Sequence, residues 1–167
     1  ACLNSPQDAC FYFKQSEMYR NTKGKIFLIA FKISNFFTSN KILLTIGTPV
    51  RLTYKIIFQW ILGIDIPDTV IFGKNFQVYH GQGLIIHKDV IIGDNVIVRH
   101  NTTIGVKNDQ SLPPVIGNNV SIGANSVIIG AIKIGNNSII AAGSIVVKDV
   151  LKNSVVAGNP AKLINKN

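Results

Sequence analysis

The sequence predicts an all-β parallel solenoid of short strands, preceded by an N-terminal helical segment. The first observation is a six-residue repeat that runs from Ile66 to about Val147. An aliphatic residue recurs at every sixth position, as in Ile92, Val98 and Ile104, and is often followed by Gly and then Asn. A strand would give a period of about 2 and a helix one of about 3.6, whereas a fixed longer repeat indicates a solenoid.

Composition bounds the class of protein. The chain has 167 residues, 47% of them hydrophobic, which is enough for one domain with an ample core. Its formal charge of +9 favours an anionic partner, although a basic solvated surface is the alternative. Nucleic acid is not an expected partner, because the outward repeat positions are rich in Asn, Ser and Thr and show no row of stacking aromatic residues.

The beginning of the chain is polar and has little pattern. Residues 1–25 are interpreted as an extended arm or a short helix, and no secretory signal pattern is found in residues 1–19. Cys2 and Cys10 have no metal-ligand spacing and are expected to be free thiols of a reducing compartment. These features favour a cytoplasmic location.

Two apolar blocks predict a cap of helices before the repeat. The first spans Ile26–Phe37, and the second spans Lys41–Leu62 with a break near Pro49, a residue that suits the first turn of a new helix. After the break, apolar residues recur at helical spacing: Val50, Tyr54, Ile57 and Ile61. We expect the block to cover the end of the solenoid and to contact neighbouring subunits, since solenoid ends need covers.

The alternative for residues 26–62 is peripheral contact with a membrane. The block is basic, aromatic and apolar, a composition that suits the membrane interface. No apolar run reaches the ~18 uncharged residues that a membrane span needs. This alternative would place the protein at the inner face of the membrane.

The repeat divides the chain into a helical arm at 1–63 and a β-helix domain at 64–164. Thirteen corner residues, at three per coil, predict a little over four coils. The Gly and Asn residues of each hexad are expected to turn the corners at positive φ. A two-residue slip at Leu84–Ile85 suggests a bulge, and residues 106–115 are expected to form an extruded loop of the kind that carries function.

His80 and His100 are the candidate chemical groups of the repeat. Each is the third residue of its hexad, and three hexads plus the two-residue slip separate them. Their rings are therefore expected one coil apart on the same outward face, with backbones about 5 Å from each other. An outward imidazole can act as a general base, while a histidine that only packs at the surface or a subunit seam is the alternative.

Two further interpretations concern neighbouring groups. Asp65, just before the first hexad, either orients a histidine and stabilises its imidazolium or simply caps a turn. The stacked histidines also allow a zinc site, because neutral imidazole is a zinc ligand. His87 occupies a different hexad position from the other two, so we expect no metal.

The closing segment carries a family resemblance. Residues 140–150 read Ile-Ala-Ala-Gly-Ser-Ile-Val-Val-Lys-Asp-Val, residues 157–162 read Ala-Gly-Asn-Pro-Ala-Lys, and residues 102–105 read Thr-Thr-Ile-Gly. On these motifs, Ile66–Ile164 resembles the hexapeptide-repeat acyltransferases, within them the serine acetyltransferases and the sugar O-acetyltransferases of capsule, O-antigen and colanic acid synthesis. The resemblance implies a left-handed β-helix, a homotrimer or a hexamer of paired trimers, and acetyl-CoA bound between neighbouring subunits.

The resemblance also assigns roles to residues. The family's catalytic histidine corresponds to His80, and the aspartate that works with it in the serine enzymes corresponds to Asp65. His100 stands in an Arg-His pair, much as in the colanic-acid type of enzyme, and is a further catalytic candidate. The residues implied for acetyl-CoA are Gly105, Ala124 and Ala142 along the pantetheine and Lys148 and Lys162 at the phosphates.

Three positions depart from the serine acetyltransferase pattern. Tyr79 replaces an aspartate before the catalytic histidine, Lys88 replaces the glutamate that holds the serine ammonium group, and Pro113 replaces a second active-site histidine. An amino-acid acceptor needs a carboxylate for its ammonium group. These changes therefore favour a sugar hydroxyl, on a nucleotide sugar or on a lipid-linked glycan.

The expected function is O-acetylation of a sugar in surface polysaccharide synthesis, by direct transfer from acetyl-CoA with His80 as general base. Serine O-acetylation in cysteine synthesis is one alternative. A non-enzymatic or zinc-dependent β-helix is the other. The sequence identifies neither the sugar nor the hydroxyl.

Overall fold

A computed structural model describes residues 22–166 of the chain. The polar arm before Thr22, with Cys2 and Cys10, lies outside the described residues. The helices are α1 (Thr22–Phe36), α2 (Lys41–Ile46), α3 (Thr48–Tyr54) and a π-helix (Lys55–Ile61). The strands are β1 (Ile64–Asp65), β2 (Ile71–Phe72), β3 (Gln77–Tyr79), β4 (Leu84–Ile86), β5 (Ile91–Ile92), β6 (Ile97–Arg99), β7 (Thr103–Gly105), β8 (Val115–Ile116), β9 (Ser121–Ile122), β10 (Val127–Ile129), β11 (Lys133–Ile134), β12 (Ile139–Ile140), β13 (Ile145–Val146), β14 (Ser154–Gly158) and β15 (Ala161–Lys166).

The strands stack into three sheets that wrap into a solenoid. Sheet 1 contains β1-β4-β7-β10-β13, and sheet 2 contains β2-β5-β8-β11. Sheet 3 contains β3-β6-β9-β12-β14, with β15 added antiparallel at its edge. All other pairings are parallel, and each coil gives one strand to each sheet. The predicted parallel β-solenoid with an N-terminal helical segment is therefore confirmed.

The core is a column of aliphatic side chains, one from each hexad. Ile104, Ile122 and Ile140 are all buried at this position. The inward position two residues earlier is aliphatic in the first coils and carries a hydroxyl later, as at Ser138, whose Oγ donates to Leu151 O at 2.9 Å. A buried hydroxyl is tolerated because it is hydrogen-bonded in this way.

The prediction that the Gly of each hexad turns a corner at positive φ is wrong, whereas the same prediction for Asn is confirmed. Within residues 22–166, the non-glycine residues with positive φ are His80 and seven asparagines: Asn75, Asn95, Asn101, Asn119, Asn125, Asn137 and Asn153. Gly117 and Gly135 do not have positive φ, but a Cβ at Gly135 would lie 2.4 Å from Lys152 N of the next coil. Asparagine thus turns the corner, whereas glycine lets successive coils stack closely.

The corner asparagines also join the coils along the solenoid axis. Nδ2 of Asn95 donates to Oδ1 of Asn119 at 2.9 Å, and Asn119 donates in turn to Asn137 at 2.9 Å. The ladder ends with Asn137 donating to Asn153, also at 2.9 Å. Asparagine suits this position because it tolerates left-handed backbone and carries both a donor and an acceptor.

An aromatic cluster packs the helices together, and Phe31 joins it to Phe72 of the first coil with ring centroids 4.8 Å apart. Phe27 of α1 packs edge-on against Phe58 with ring centroids 5.7 Å apart, and Tyr54 stacks on Phe58 at 5.4 Å. Tyr54 and Phe58 are buried, whereas Ile57 is 40% and Ile61 71% exposed. Val50 is also 37% exposed, so the predicted packing face holds at Tyr54 alone. At Ile57 and Ile61 the chain is a π-helix. A π-helix closes its hydrogen bonds over five residues, so α-helical spacing does not hold there.

A buried ion pair fastens the helices to the same coil. Asp68, 2% exposed, accepts hydrogen bonds from Arg51 Nε at 2.7 Å, Arg51 Nη2 at 3.1 Å and Ser34 Oγ at 2.7 Å. Burial acts to raise the pKa of this carboxyl, but the hydrogen bonds from Arg51 and Ser34 outweigh it and hold the pKa below its ordinary value. Tyr54 O–H donates to Ile66 O at 2.7 Å, and its pKa is raised by burial and by the nearby charges of Asp68 and Asp65.

The outer face of the helices is apolar and basic. Fourteen large hydrophobic side chains between Ile26 and Leu62 are exposed, with Trp60 82% exposed. The segment from Thr22 to Ile64 contains six Lys and Arg residues and no Asp or Glu. None of the described helices is both long enough and apolar enough to cross a bilayer.

Candidate active site

The corner between β3 and β4 is longer than the corner below it. Tyr79 pairs with Arg99 and Ile85 with Thr103, so residues 80–84 stand over residues 100–102 and contain two more residues. The slip predicted at Leu84–Ile85 therefore lies within this corner, because Leu84 and Ile85 themselves keep regular strand register. The lengthened corner begins at the candidate base, His80.

His80 adopts an unusual backbone conformation in this corner. Its φ is 67°, and Gly81 and Gly83 follow with φ of 74° and 63°. Apart from the corner asparagines, His80 is the one non-glycine residue of the described chain at positive φ. Strain of this kind persists where the surroundings enforce it, and it clusters at functional sites. The imidazole of His80 is exposed.

The rings of His80 and His100 face each other. Their centroids are 5.7 Å apart at an interplanar angle of 81°, which agrees with the predicted stacking of the two positions. His100 is half-buried, and its Nδ1 is buried without a hydrogen-bond partner in the described residues. A buried ring nitrogen of this kind is costly unless a further group reaches it. The rings meet edge-on, so the exposed imidazole of His80 lies beside the half-buried ring of His100 at one corner.

Small residues continue the column beneath His100. Asn125 N–H donates to His100 O at 3.1 Å, and Gly143 N–H donates to Ala124 O at 2.8 Å. Ala124 and then Ala142 therefore occupy the same corner in the next two coils. Their short side chains leave the surface beside His100 open. The structure brings four of the predicted site residues into one column: His80, His100, Ala124 and Ala142.

Asp65 and Gly105 lie at a different place. Together with His87 and Lys88 they line a cavity of about 350 Å³ at the end of β7 remote from His100. Asp65 and His80 form neither a hydrogen bond nor an ion pair, and both lie in the described chain. Asp89 N–H donates to Nδ1 of His87 at 3.3 Å. The orienting role of Asp65 stays a prediction.

The described residues contain no group of three or more His, Cys, Asp and Glu side chains that could hold a metal ion. Lys148 and Lys162 are exposed, Lys148 just after β13 and Lys162 on β15 opposite Ala157. Neither is near enough to a carboxylate for an ion pair within residues 22–166. Both side chains are available to an anionic ligand.

The open glycines test whether acetyl-CoA fits this surface. A Cβ added at Gly105, Gly130 or Gly143 would meet nothing within 4 Å, in contrast to the stacked hexad glycines. Gly130 N–H donates to Gly105 O at 3.1 Å, so these two lie in adjacent coils. Their bare backbone gives an extended chain such as pantetheine room to approach. The residues present are thus compatible with the predicted donor.

The three departures from the serine acetyltransferase pattern have clear positions. Tyr79 is buried, its O–H donates to Gln77 Oε1 at 3.1 Å, and the guanidinium of Arg99 lies 5.8 Å from its ring centroid. Lys88 is exposed at the cavity that contains Asp65. Pro113 belongs to the loop between β7 and β8. A cationic and an aromatic side chain therefore stand at the two positions where the resemblance implies carboxylates in the serine enzymes.

The chain is similar to known proteins in sequence. The bacterial transferase hexapeptide family (six repeats) matches residues 113–148. A protein of Escherichia coli strain K12 that bears the name colanic acid biosynthesis acetyltransferase WcaB is 40% identical over 118 residues, 70% of this chain and 73% of that protein. Serine acetyltransferase 4 of Arabidopsis thaliana is 35% identical over 159 residues, 93% of this chain and 42% of that protein.

Solved structures agree with the fold. The crystal structure of serine acetyltransferase from Brucella abortus strain S19 gives a TM-score of 0.75 at 29% identity, over 87% of this chain and 58% of that one. Its complex with coenzyme A gives 0.72 at 30% identity, over 84% and 55%. The chain spans about half the length of these serine acetyltransferases. The solenoid matches left-handed β-helix acetyltransferases, and the chain belongs to the hexapeptide-repeat family of acyl-CoA-dependent acetyltransferases.

Proposed function

We propose that the chain is an O-acetyltransferase that moves acetyl from acetyl-CoA to a sugar hydroxyl in surface polysaccharide synthesis of the capsule, O-antigen or colanic-acid type. The observation that carries the proposal is His80, held at φ of 67° in a lengthened corner with its ring edge-on to His100. The extensive match to a relative named for colanic acid biosynthesis supports the acceptor class.

In the proposed reaction, His80 accepts the proton of the acceptor hydroxyl while that oxygen attacks the thioester carbonyl. Acetyl-CoA supplies the activated acyl group. The carbon–sulfur bond breaks, the acetyl group stays on the acceptor oxygen, and the proton leaves with the CoA thiol. Backbone N–H groups stabilise the oxyanion. His100 positions the acceptor beside His80, whose ring it meets edge-on with centroids 5.7 Å apart.

The charge of the site supports a sugar rather than an amino acid. An ammonium group would need a carboxylate, but buried Tyr79 and exposed Lys88 occupy the two positions at which the resemblance implies one in the serine enzymes. Asp65 and, beside His87, Asp89 are carboxylates at the cavity that Lys88 also lines, and the ammonium group of Lys88 offsets part of their charge. A neutral or anionic acceptor is therefore favoured over L-serine.

We further propose a homotrimer with active sites between subunits, with a hexamer of two trimers as the alternative. An aliphatic row on sheet 2 supports self-association, since Ile71 is 72%, Ile91 55% and Val115 38% exposed. These residues pair in register along the sheet and form one continuous strip. An exposed apolar strip of this kind suits burial against another copy of the chain.

The proposed location is the cytoplasm, with the helices touching the inner face of the membrane through residues 26–62. The apolar and basic outer face of these helices supports this placement. Apolar side chains would enter the interface while lysines meet anionic headgroups. A lipid-linked acceptor would be presented at this surface.

Serine O-acetylation is the second candidate. It is favoured by the match to Arabidopsis serine acetyltransferase 4 over 93% of this chain and by the fold agreement with serine enzymes. It requires an ammonium site other than the two positions that Tyr79 and Lys88 occupy. Direct assay therefore distinguishes the two candidates.

The experiment is thiol release from acetyl-CoA by the purified protein. L-serine is offered in one reaction, and nucleotide sugars and capsule or O-antigen oligosaccharides in the others. Release with a glycan or nucleotide sugar and none with serine is the expected result. Release with serine alone would replace the proposal by the second candidate.

A further inference from the structure

A groove of about 710 Å³ lies between α1 and the first coil, and several of its lining residues, including Ile71 of the sheet 2 strip and Tyr79, are described above. One wall is a single edge of α1, made by Lys25, Leu28, Lys32 and Asn35, which recur at helical spacing. The opposite wall and floor come from residues 70–77 of the first coil. The groove has the size of a small-ligand site.

The floor of the groove is aromatic. Phe72 stacks on Phe76 with centroids 4.0 Å apart and an interplanar angle of 15°, and it contacts Phe31 at 4.8 Å. Phe31 and Phe76 are buried, whereas Phe72 is partly exposed and lines the groove. This floor offers a flat apolar surface to a base or a hydrocarbon chain.

The rim of the groove is cationic. Lys25, Lys32 and Lys74 line it, and none of the lining residues is acidic. These three lysines form no ion pair within the described chain, although the backbone N–H of Lys74 donates to Asp94 Oδ1 at 2.6 Å. Asp94 does not line the groove. Three ammonium groups around an apolar floor favour an anionic ligand that also carries an apolar group.

We infer that the groove binds the diphosphate group through which the acceptor sugar is carried, with the attached nucleoside or isoprenoid on the aromatic floor. The lysines neutralise the two phosphates, and Phe72 receives the apolar part. Tyr79 lines the groove and precedes His80 directly in the chain. A sugar joined to the diphosphate is thereby directed towards the candidate base. The sugar's role as acceptor rests on the proposed function, but binding itself does not require turnover.

The test is calorimetric titration of the full chain with UDP, with geranyl diphosphate and with inorganic pyrophosphate. UDP represents the nucleotide source and geranyl diphosphate the lipid source. We expect one of these two to bind more tightly than pyrophosphate. Lys32→Glu and Lys74→Glu should each weaken that binding about tenfold or more, because each replaces a charged contact by repulsion. Lys152→Glu, at an exposed turn of the last coil, is the matched control and should change nothing.

Several results would overturn the inference. Binding of neither diphosphate ester, equal losses in Lys152→Glu, or pyrophosphate bound as tightly as both esters would each do so. An increase of KM for acetyl-CoA in Lys32→Glu, with diphosphate binding unchanged, would assign the groove to the donor. Lysine-dependent binding of UDP without acetylation of any glycan would refute the proposed acceptor and leave the groove intact. Glycan acetylation that is unaffected in Lys32→Glu and Lys74→Glu would refute the binding site in the groove and support the proposed acceptor.

Discussion

His80 occupies the left-handed backbone region that asparagine occupies at the other corners. A branched or bulky L-residue costs roughly 1–2 kcal/mol there, and asparagine less. An ordinary corner of this solenoid would carry asparagine, so an imidazole at this position sacrifices stability for another property. The exposed ring edge-on to His100 favours a chemical role for His80.

The paired variants His80→Asn and His80→Ala separate backbone strain from catalysis. Both remove the base, so turnover should fall about 10²–10⁴-fold in each. His80→Asn should be at least as stable as the parent, and His80→Ala should be about 1 kcal/mol less stable than His80→Asn, since alanine pays the left-handed penalty that asparagine largely avoids. Urea unfolding and thiol release measure the two effects. Near-normal turnover in either variant would eliminate His80 as the base.

His100→Ala should raise KM for the acceptor more than KM for acetyl-CoA, because its ring lies edge-on beside the proposed base His80. His87→Ala is the control, since His87 lies in the cavity at the other end of β7. Steady-state kinetics with each substrate varied provide the measurement. Equal effects of the two variants on the acceptor KM would remove the assigned role.

At the scale of the element, the corner asparagines and the stacked hexad glycines have different structural roles. Asn119 turns the chain. Its side chain accepts a hydrogen bond from Asn95 of the preceding coil and donates one to Asn137 of the next coil. Gly117 and Gly135 have no room for a side chain, because a Cβ would lie within 3 Å of the next coil. Gly105 has open space instead, which marks it as a surface left for a ligand rather than for packing.

Gly105→Val should therefore impair binding of acetyl-CoA, whereas Gly135→Ala should lower the stability of the fold. Gly105→Val should change the free energy of unfolding by no more than about 0.5 kcal/mol, as exposed sites do, but raise KM for acetyl-CoA. Gly135→Ala should destabilise the fold by roughly 1–3 kcal/mol through overpacking and leave KM near normal. Urea unfolding and kinetics test the pair. An unchanged KM in Gly105→Val would move the pantetheine path elsewhere.

The attachment of the helices should depend on pH through Asp68. The folded pKa of Asp68 lies below its ordinary value of about 3.9, so its pairing stabilises the fold fully above that value. This stabilisation is lost as pH falls through the lower folded pKa. Asp68→Asn should cost about 3 kcal/mol at pH near 7 and flatten the acid dependence. Urea midpoints across acidic pH test this, with exposed Asp109→Asn as control; parallel pH curves for parent and Asp68→Asn would contradict it.

At the scale of the whole molecule, the helical cap has one buried face and one exposed face. One buries Phe27 and Tyr54 against the first coil, and the other exposes Ile29, Ile33 and Trp60 without any acidic residue nearby in sequence. An exposed apolar patch of this extent marks an interaction surface. Its basic residues favour an anionic lipid surface over a second copy that carries the same charge.

Trp60 reports on this surface directly, because it is the single tryptophan of the chain. Phosphatidylglycerol vesicles should shift its fluorescence to the blue and sediment the protein, whereas phosphatidylcholine vesicles should do so less. The double variant Ile56→Ser with Ile61→Ser should reduce sedimentation, and Leu163→Ser on β15 should not. A change in oligomeric mass in the double variant, with no lipid binding by the parent, would assign the surface to contact between copies.

Much of the solenoid could be predicted because its contacts are periodic. Each coil touches the next at a nearly constant offset in sequence, so the six-residue beat determines which residues are inward and which share a column. The stacking of His80 over His100 followed from that count. The position of the two-residue slip could not be predicted, because spacing alone does not show which residues of a corner lie outside the strand pairing.

The sequence by itself therefore determined the repeat, the helical cap and the column of candidate residues, since these depend on local period and chain order. The tertiary structure decided the pairing of Arg51 with Asp68, the aromatic face of the cap and the lysine-lined groove. The physical reason is that a helix packs on the first coil by shape and charge between distant segments, and no sequence period encodes that contact.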